Sequence, residues 1–354
     1  MDDTAQRGLP LALTVLLASV CFLAGCPGKM DPTWQPRREE AVLRSTEHPD
    51  IAAARREWER SRTPAARVAL GNAYLEHGEP VKAYRQFEAA LAADPENVGA
   101  LLGLGRLHTD LGNYDAAVDA YNRALAIEGD NEMAHNSLGL VYLQRGQLDE
   151  AAQQFRQVIE LNRHNVAPRL CLGVTYLRAQ RIDDAIRTYR EAIEVAPDSS
   201  WLHVNYGHAL EIKGDLGAAE KQYRRALYLD PEDGAAKNNL AFVLALQNTN
   251  LAEALDLADE AIAAQPEVAS FHDTRGWVLF KMGRKRQAVS ALQSAISLSP
   301  GNLAAQYHLG VAYDEMGEPD LAMPHLRGAQ RDFRFSADAA RRIRRIESRR
   351  APRA

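Results

Sequence analysis

The chain has 354 residues, 46% hydrophobic and 25% charged, a globular composition that excludes disorder along its whole length. Its formal net charge of −5 is too small to argue for a nucleic-acid partner. The stretch from Asp338 onward nevertheless carries seven arginines and a net +5, which leaves −10 on the rest. Cys21, Cys26 and Cys171 lie in unrelated contexts, so neither a disulfide framework nor a Cys/His metal spacing is expected.

The first element is "LPLALTVLLASVCFLAG", Leu9 to Gly25, about 17 residues long and at the lower limit for crossing a bilayer. Arg7 precedes it, and the chain turns polar directly after Cys26. The tetrad Leu23-Ala24-Gly25-Cys26 resembles the signal of a bacterial lipoprotein. That resemblance implies cleavage before Cys26, acylation (diacylglyceryl and palmitate-type chains) of its thiol, and membrane attachment through those chains. Pro27 stands where an aspartate would signal inner-membrane retention, so the periplasmic face of the outer membrane is the expected location. Residues 1–25 are thus expected to be a signal peptide and 26–47 a lipidated tether. Residues 48–63 are expected to form an N-terminal capping helix that packs Ile51 and Trp58 onto the first of the units beginning at residue 64.

From residue 64 the chain repeats itself every 34 residues. Small residues recur at Gly71, Gly105, Gly139, Gly173, Gly207, Ala241, Gly276 and Gly310. An alanine follows each one at Ala83, Ala117, Ala151, Ala185, Ala219, Ala254, Ala288 and Ala322, and one turn later stand Phe87, Tyr121, Phe155, Tyr189, Tyr223, Ala258, Leu292 and Leu326. These residues resemble the tetratricopeptide repeat in eight units: 64–97, 98–131, 132–165, 166–199, 200–233, 234–268, 269–302 and 303–336. The expected fold is therefore all-α, a right-handed superhelical solenoid of helix-turn-helix units with a capping helix at each end.

The spacing has its own physics. The small residue of the first helix (A) and the alanine of the second (B) mark where the two approach, and the larger residue one turn on fills the space beside them. Helix A must end on a residue tolerant of positive φ, supplied by Gly78, Gly112, Gly146, Gly214, Gly283, Gly317 and, in the sixth unit, Asn248. Gln180 breaks the pattern, and a less regular turn is expected there. Pro95, Pro197, Pro231, Pro266 and Pro300 close the B helices they follow. Residues 337–354 are expected to form a capping helix with Ile343 and Ile346 inward, followed by a basic tail. Its arginines read either as a solvated face or as a surface for anionic lipid or an acidic partner.

No nucleophile elbow, phosphate loop, HExxH or dinucleotide fingerprint occurs. The expectation is a protein without enzymatic activity, cofactor, metal, nucleic-acid partner or small-molecule substrate. Cys171 is expected to be simple packing, and of the histidines of the fifth unit, one of His203 and His208 on the helix surface and one in the groove. The face lined by A helices remains as the binding surface. Its candidate positions in the later units are Trp201, His208, Glu211, Asn238, Phe242, Asp273, Trp277, Phe280, Tyr307 and Asp314. The aromatic members suit either anchoring of a partner segment or packing between neighbouring A helices. The earlier units offer a mostly polar set, including Asn72, Arg106, Thr109, Asn136, Leu140 and Leu177. The family's clamp for a C-terminal carboxylate is not supported: Asn72 fits it, but Val68 and Gly103 do not.

Anchor and array together look like the tetratricopeptide lipoproteins that assist assembly of type IV pilus secretins, which implies secretin or other envelope subunits as partners. Residues 271–313 also look like repeats of exopolysaccharide-export and exosortase-linked proteins, and an adaptor for peptidoglycan enzymes is a third possibility.

Overall fold

The computed structural model describes residues 48–350, so the signal, Cys26 and the tether lie outside the described residues. Among the described residues there are eighteen α-helices and no strand, and no helix is long and apolar enough to cross a membrane. They form two units, 48–179 and 180–350.

The first unit holds α1 (Pro49–Ser61) and then α2 (Pro64–Glu76), α3 (Pro80–Ala93), α4 (Val98–Asp110), α5 (Tyr114–Ile127), α6 (Glu132–Gln144), α7 (Leu148–Leu161) and α8 (Ala167–Arg178). The second holds α9 (Ile182–Val195), α10 (Ser200–Lys213), α11 (Leu216–Leu229), α12 (Gly234–Gln247), α13 (Leu251–Ala264), α14 (Ala269–Lys281), α15 (Lys285–Leu298), α16 (Leu303–Met316), α17 (Pro319–Ala329) and α18 (Phe333–Arg350). Even-numbered helices from α2 to α16 are the A helices and the following odd ones are the B helices. α1 and α18 are the caps.

Local sequence sets these limits. Asn97, Asn131 and Asn302 accept the backbone N–H three residues on at 2.9–3.0 Å and so start α4, α6 and α16. Asp233 does the same for α12 at 3.0 Å. At the other end, Gly78 takes φ +71, and Glu79 N–H reaches back to the Tyr74 carbonyl at 2.8 Å, which satisfies an otherwise orphaned acceptor. Gln180 corrects the expectation of an irregular turn: its φ is +58, beside +57 at Asn248, so an ordinary side chain is held in the left-handed conformation there.

The packing follows the repeat. All eight helix-B alanines, Ala83 to Ala322, are fully buried. A Cβ added to Gly71 would stand 2.5 Å from a Phe87 ring carbon, and one on Gly105 would stand 2.4 Å from Tyr121. Each ring thus lies against bare backbone, closer than any side chain there permits. In the sixth repeat Ala241 and Ala258 replace glycine and ring together, and both are fully buried. Ile51 of α1 is buried with Leu70, Tyr74 and Phe87 while Trp58 packs beside them, and Cys171 is buried as a packing residue. The last helix starts at Phe333, four residues before the expected 337, and buries Ile343 and Ile346 beside Leu326.

Candidate cavity in the C-terminal unit

The second unit contains a cavity of about 360 Å³ walled by α10, α12, α14 and α16, the turns before α12 and α14, and the start of α18. Helical periodicity explains which residues reach it. A-helix position five supplies Val204, Asn238 and Asp273, and position six supplies Asn205, Asn239, Thr274 and His308. All four position-six residues are buried and polar, with exposures of 1–6%. The corresponding residues of the first four repeats are Ala69, Gly103, Ser137 and Cys171, of which Ser137 alone carries a hydroxyl or amide, so a continuous polar row is confined to the later repeats.

The row is only partly satisfied from within. Asn205 donates its amide to the Trp201 carbonyl at 2.7 Å, which orients the group and leaves its oxygen without a partner. Asn238 donates to the Asn239 side-chain oxygen at 3.1 Å, and its own oxygen is likewise unpartnered. His308 Nδ1 lies 2.8 Å from Asp273 Oδ1, one repeat away, and its ring stacks on Trp277 at 4.3 Å. Glu211 closes another part of the wall and accepts the Tyr223 hydroxyl at 2.9 Å. Burial pushes its carboxyl up to about 7, opposed by that hydrogen bond, so it is part-ionised near neutrality.

The wall is acidic. Glu211, Asp230, Glu232, Asp233 and Asp273 contribute five carboxyl groups, against the single guanidinium of Arg334. Arg334 is itself held by Asp332, with Nε 2.8 and 2.9 Å from the two carboxylate oxygens. Phe242 and the 39%-exposed Trp201 add aromatic surface.

The structure divides the ten residues expected on the binding face. Trp201, Glu211, Asn238, Phe242 and Asp273 line the cavity. His208 does not: it is fully buried, both ring nitrogens lack partners, and burial lowers its pKa to about 4, so it is a neutral core residue. His203, expected with it as a surface or groove residue, is 6% exposed and is held by Gln222 and the Pro197 carbonyl. Trp277 packs between His308 and Phe280, whose ring lies 5.1 Å away, so these two serve packing. Tyr307 stacks on Phe335 at 4.4 Å and donates to Asp338 at 2.7 Å. Asp314 is covered by the capping helix, with Arg342 Nη1 at 2.8 Å and Arg345 also in contact. The last two are thus occupied by α18, an arrangement that puts the capping arginines to work inside the fold.

Asn205, Asn239 and His308 escape a reading of the A helices by positions two, five, nine and twelve. Their signal in the sequence is a polar residue recurring at position six. In the first unit the fold also gathers His48, Asp50 and His77, whose ligand-type atoms lie within 4.8 Å of one another. Asp50 Oδ2 stands 3.3 Å from His48 Nδ1 and 3.4 Å from His77 Nε2. No sequence spacing announces this group, since His77 arrives from the end of the next helix.

The A/B helix pairs, glycine-ring contacts and capped array define a helical-repeat protein. Tetratricopeptide-repeat profiles match residues 68–132, 142–204, 202–233 and 279–345. The chain belongs to the tetratricopeptide-repeat family. A crystal structure of a tetratricopeptide repeat protein from Parabacteroides merdae superposes with a TM-score of 0.57 over 71% of this chain and 99% of that one, at 17% identity, a likeness of fold. A TPR repeat-containing protein of Pseudomonas aeruginosa is 30% identical over 100 residues, 28% of this chain and 17% of that protein. The protein O-mannosyl-transferase TMTC3 of Homo sapiens is 27% identical over 143 residues, 36% of this chain and 16% of that protein. The chain therefore spans about a sixth of the length of these curated relatives.

Proposed function

We propose that this protein is a non-enzymatic scaffold that recruits a partner protein by holding one of its segments in the cavity of the C-terminal unit. The carrying observation is the set of buried polar residues that line the cavity, among which the side-chain oxygens of Asn205 and Asn238 have no donor of the protein's own. A buried polar group left unmet costs about 1–3 kcal/mol, so a segment that brings N–H groups to these oxygens relieves a penalty of the free protein. The cavity lies within the roughly 300–1,000 Å³ range of preformed ligand sites. The transferase activity of the human relative does not transfer to this chain on a match to 16% of that protein.

The test is selection from a displayed library of linear random peptides. Wild type should enrich binders that Phe242→Ala and Asn238→Ala do not retain. Absence of enrichment, or equal retention by all three, would overturn the proposal.

The same proposal places the scaffold at a bacterial membrane through acyl chains on Cys26, at the outer membrane's periplasmic face, where it assists secretin assembly. The Leu23-to-Cys26 tetrad and the likeness to pilus lipoproteins support this part. Cys26→Ser should move the protein from the membrane to the soluble fraction, and continued sedimentation with membranes would refute the anchor.

A further inference from the structure

We propose that the cavity selects a basic segment, taking an arginine or lysine side chain of the partner between Phe242 and the acceptors Asn205, Asn238 and Asp273. This deepens the reading of the cavity as a segment-binding site and rests on it.

The donor and acceptor inventory leads there. The wall presents five carboxyl groups, one of them (Glu232) 3.8 Å from Lys237, and two unpartnered, buried amide oxygens beside one unpartnered amide nitrogen, Asn239 Nδ2, whereas its one guanidinium is already paired with Asp332. Asn205 is 1% exposed and Asn238 8%, so these oxygens have no ready substitute partner in bulk water. What fits such a wall is a group rich in donors, poor in acceptors and positively charged. A guanidinium has five N–H donors and no acceptor, and an ammonium three. A terminal carboxylate, by contrast, would meet carboxylates. The aromatic surface adds to the selection, since a cation gains from the face of a ring it approaches. Trp201 stands at the cavity and is 39% exposed, in a place to cover the aliphatic stem of such a side chain.

The fold itself supplies an internal precedent on α16, the helix that carries His308. Asp314 of that helix has a side chain only 3% exposed and is met by two arginines of α18. There the chain provides its own cations. At Asp273 the one histidine contact, His308, uses Oδ1 at 2.8 Å.

The experiment is peptide selection followed by charge removal in the peptide. Wild type should enrich sequences carrying arginine or lysine. In the selected peptide, replacing that arginine by citrulline keeps the shape, removes the charge, and should weaken binding at least about tenfold, as loss of a charge-assisted contact implies. Affinity should also fall as salt rises. Asp273→Asn, which retains the shape beside His308, should weaken the arginine peptide but not the citrulline one. Enrichment of acidic or uncharged sequences, or equal affinity of the arginine and citrulline peptides, overturns the proposal while leaving the segment-binding reading intact. Failure to enrich any peptide overturns both. Because the decisive comparison changes the peptide, it holds even if a protein variant misfolds.

Discussion

Consider Gly105→Ala alone and combined with Tyr121→Ala. The new methyl would sit 2.4 Å from Tyr121 Cε1 and 2.6 Å from Cζ. Carbon atoms settle at about 3.5–4.0 Å, so the ring must retreat by more than an ångström. It has little room: Tyr121 is 3% exposed and packs with Ala117, Leu138 and Val141. Overpacking of this kind costs about 1–3 kcal/mol, while alanine in place of glycine inside a helix returns about 1 kcal/mol of backbone propensity. Gly105→Ala should therefore be neutral to destabilising by about 2 kcal/mol in the native background. In the Tyr121→Ala background the clash is gone and only the propensity gain remains, so the same change should stabilise by up to about 1 kcal/mol. The coupling between the two sites is then about 1–3 kcal/mol, the overpacking term itself. The sixth repeat already contains this double replacement as Ala241 and Ala258, both fully buried. Hydrogen exchange in peptides of α4 and α5 gives the local opening free energies of all four species without assuming that a repeat array melts in one step. A coupling below about 0.5 kcal/mol, the ordinary error of additivity, would refute the close-approach account.

Charged groups give two more expectations. Burial raises the Glu211 pKa from 4.5 to about 7, so the folded state favours the protonated acid; its contribution is full below pH 4.5 and is lost as pH rises through 7. Across that window Glu211→Gln should gain roughly 3 kcal/mol relative to wild type, read from urea unfolding at pH 5 and pH 8; parallel pH profiles would disprove the shift. Asp314→Asn keeps an acceptor oxygen but removes the buried negative charge that Arg342 and Arg345 meet, and should cost about 2–3 kcal/mol, concentrated in the capping helix. Faster amide exchange confined to α18 is the expected signature, and unchanged exchange there would show that its apolar contacts suffice.

The sequence alone determined the helix pairs, because a 34-residue rhythm of glycine, alanine and a large residue has one packing solution. Gly71 with Phe87 and Gly105 with Tyr121 could be paired by counting, and so could most of the left-handed turns. Gln180 could not, since neighbouring structure overrode a side chain's preference there.

The cavity was half legible. Asn238, Phe242 and Asp273 stand out from helix position, but counting cannot separate a residue facing the groove from one enclosed between helices. His208 at position nine is enclosed, whereas Phe242, at the same position one repeat on, lines the cavity. The capping helix made the remaining choice. Where Phe333–Arg350 lies decides that Asp338 takes the Tyr307 hydroxyl and that Arg342 and Arg345 take Asp314. Periodicity fixes contacts inside a repeat because they are local; which polar atoms stay unmet depends on how successive repeats and the cap come together, and only the tertiary structure decides that.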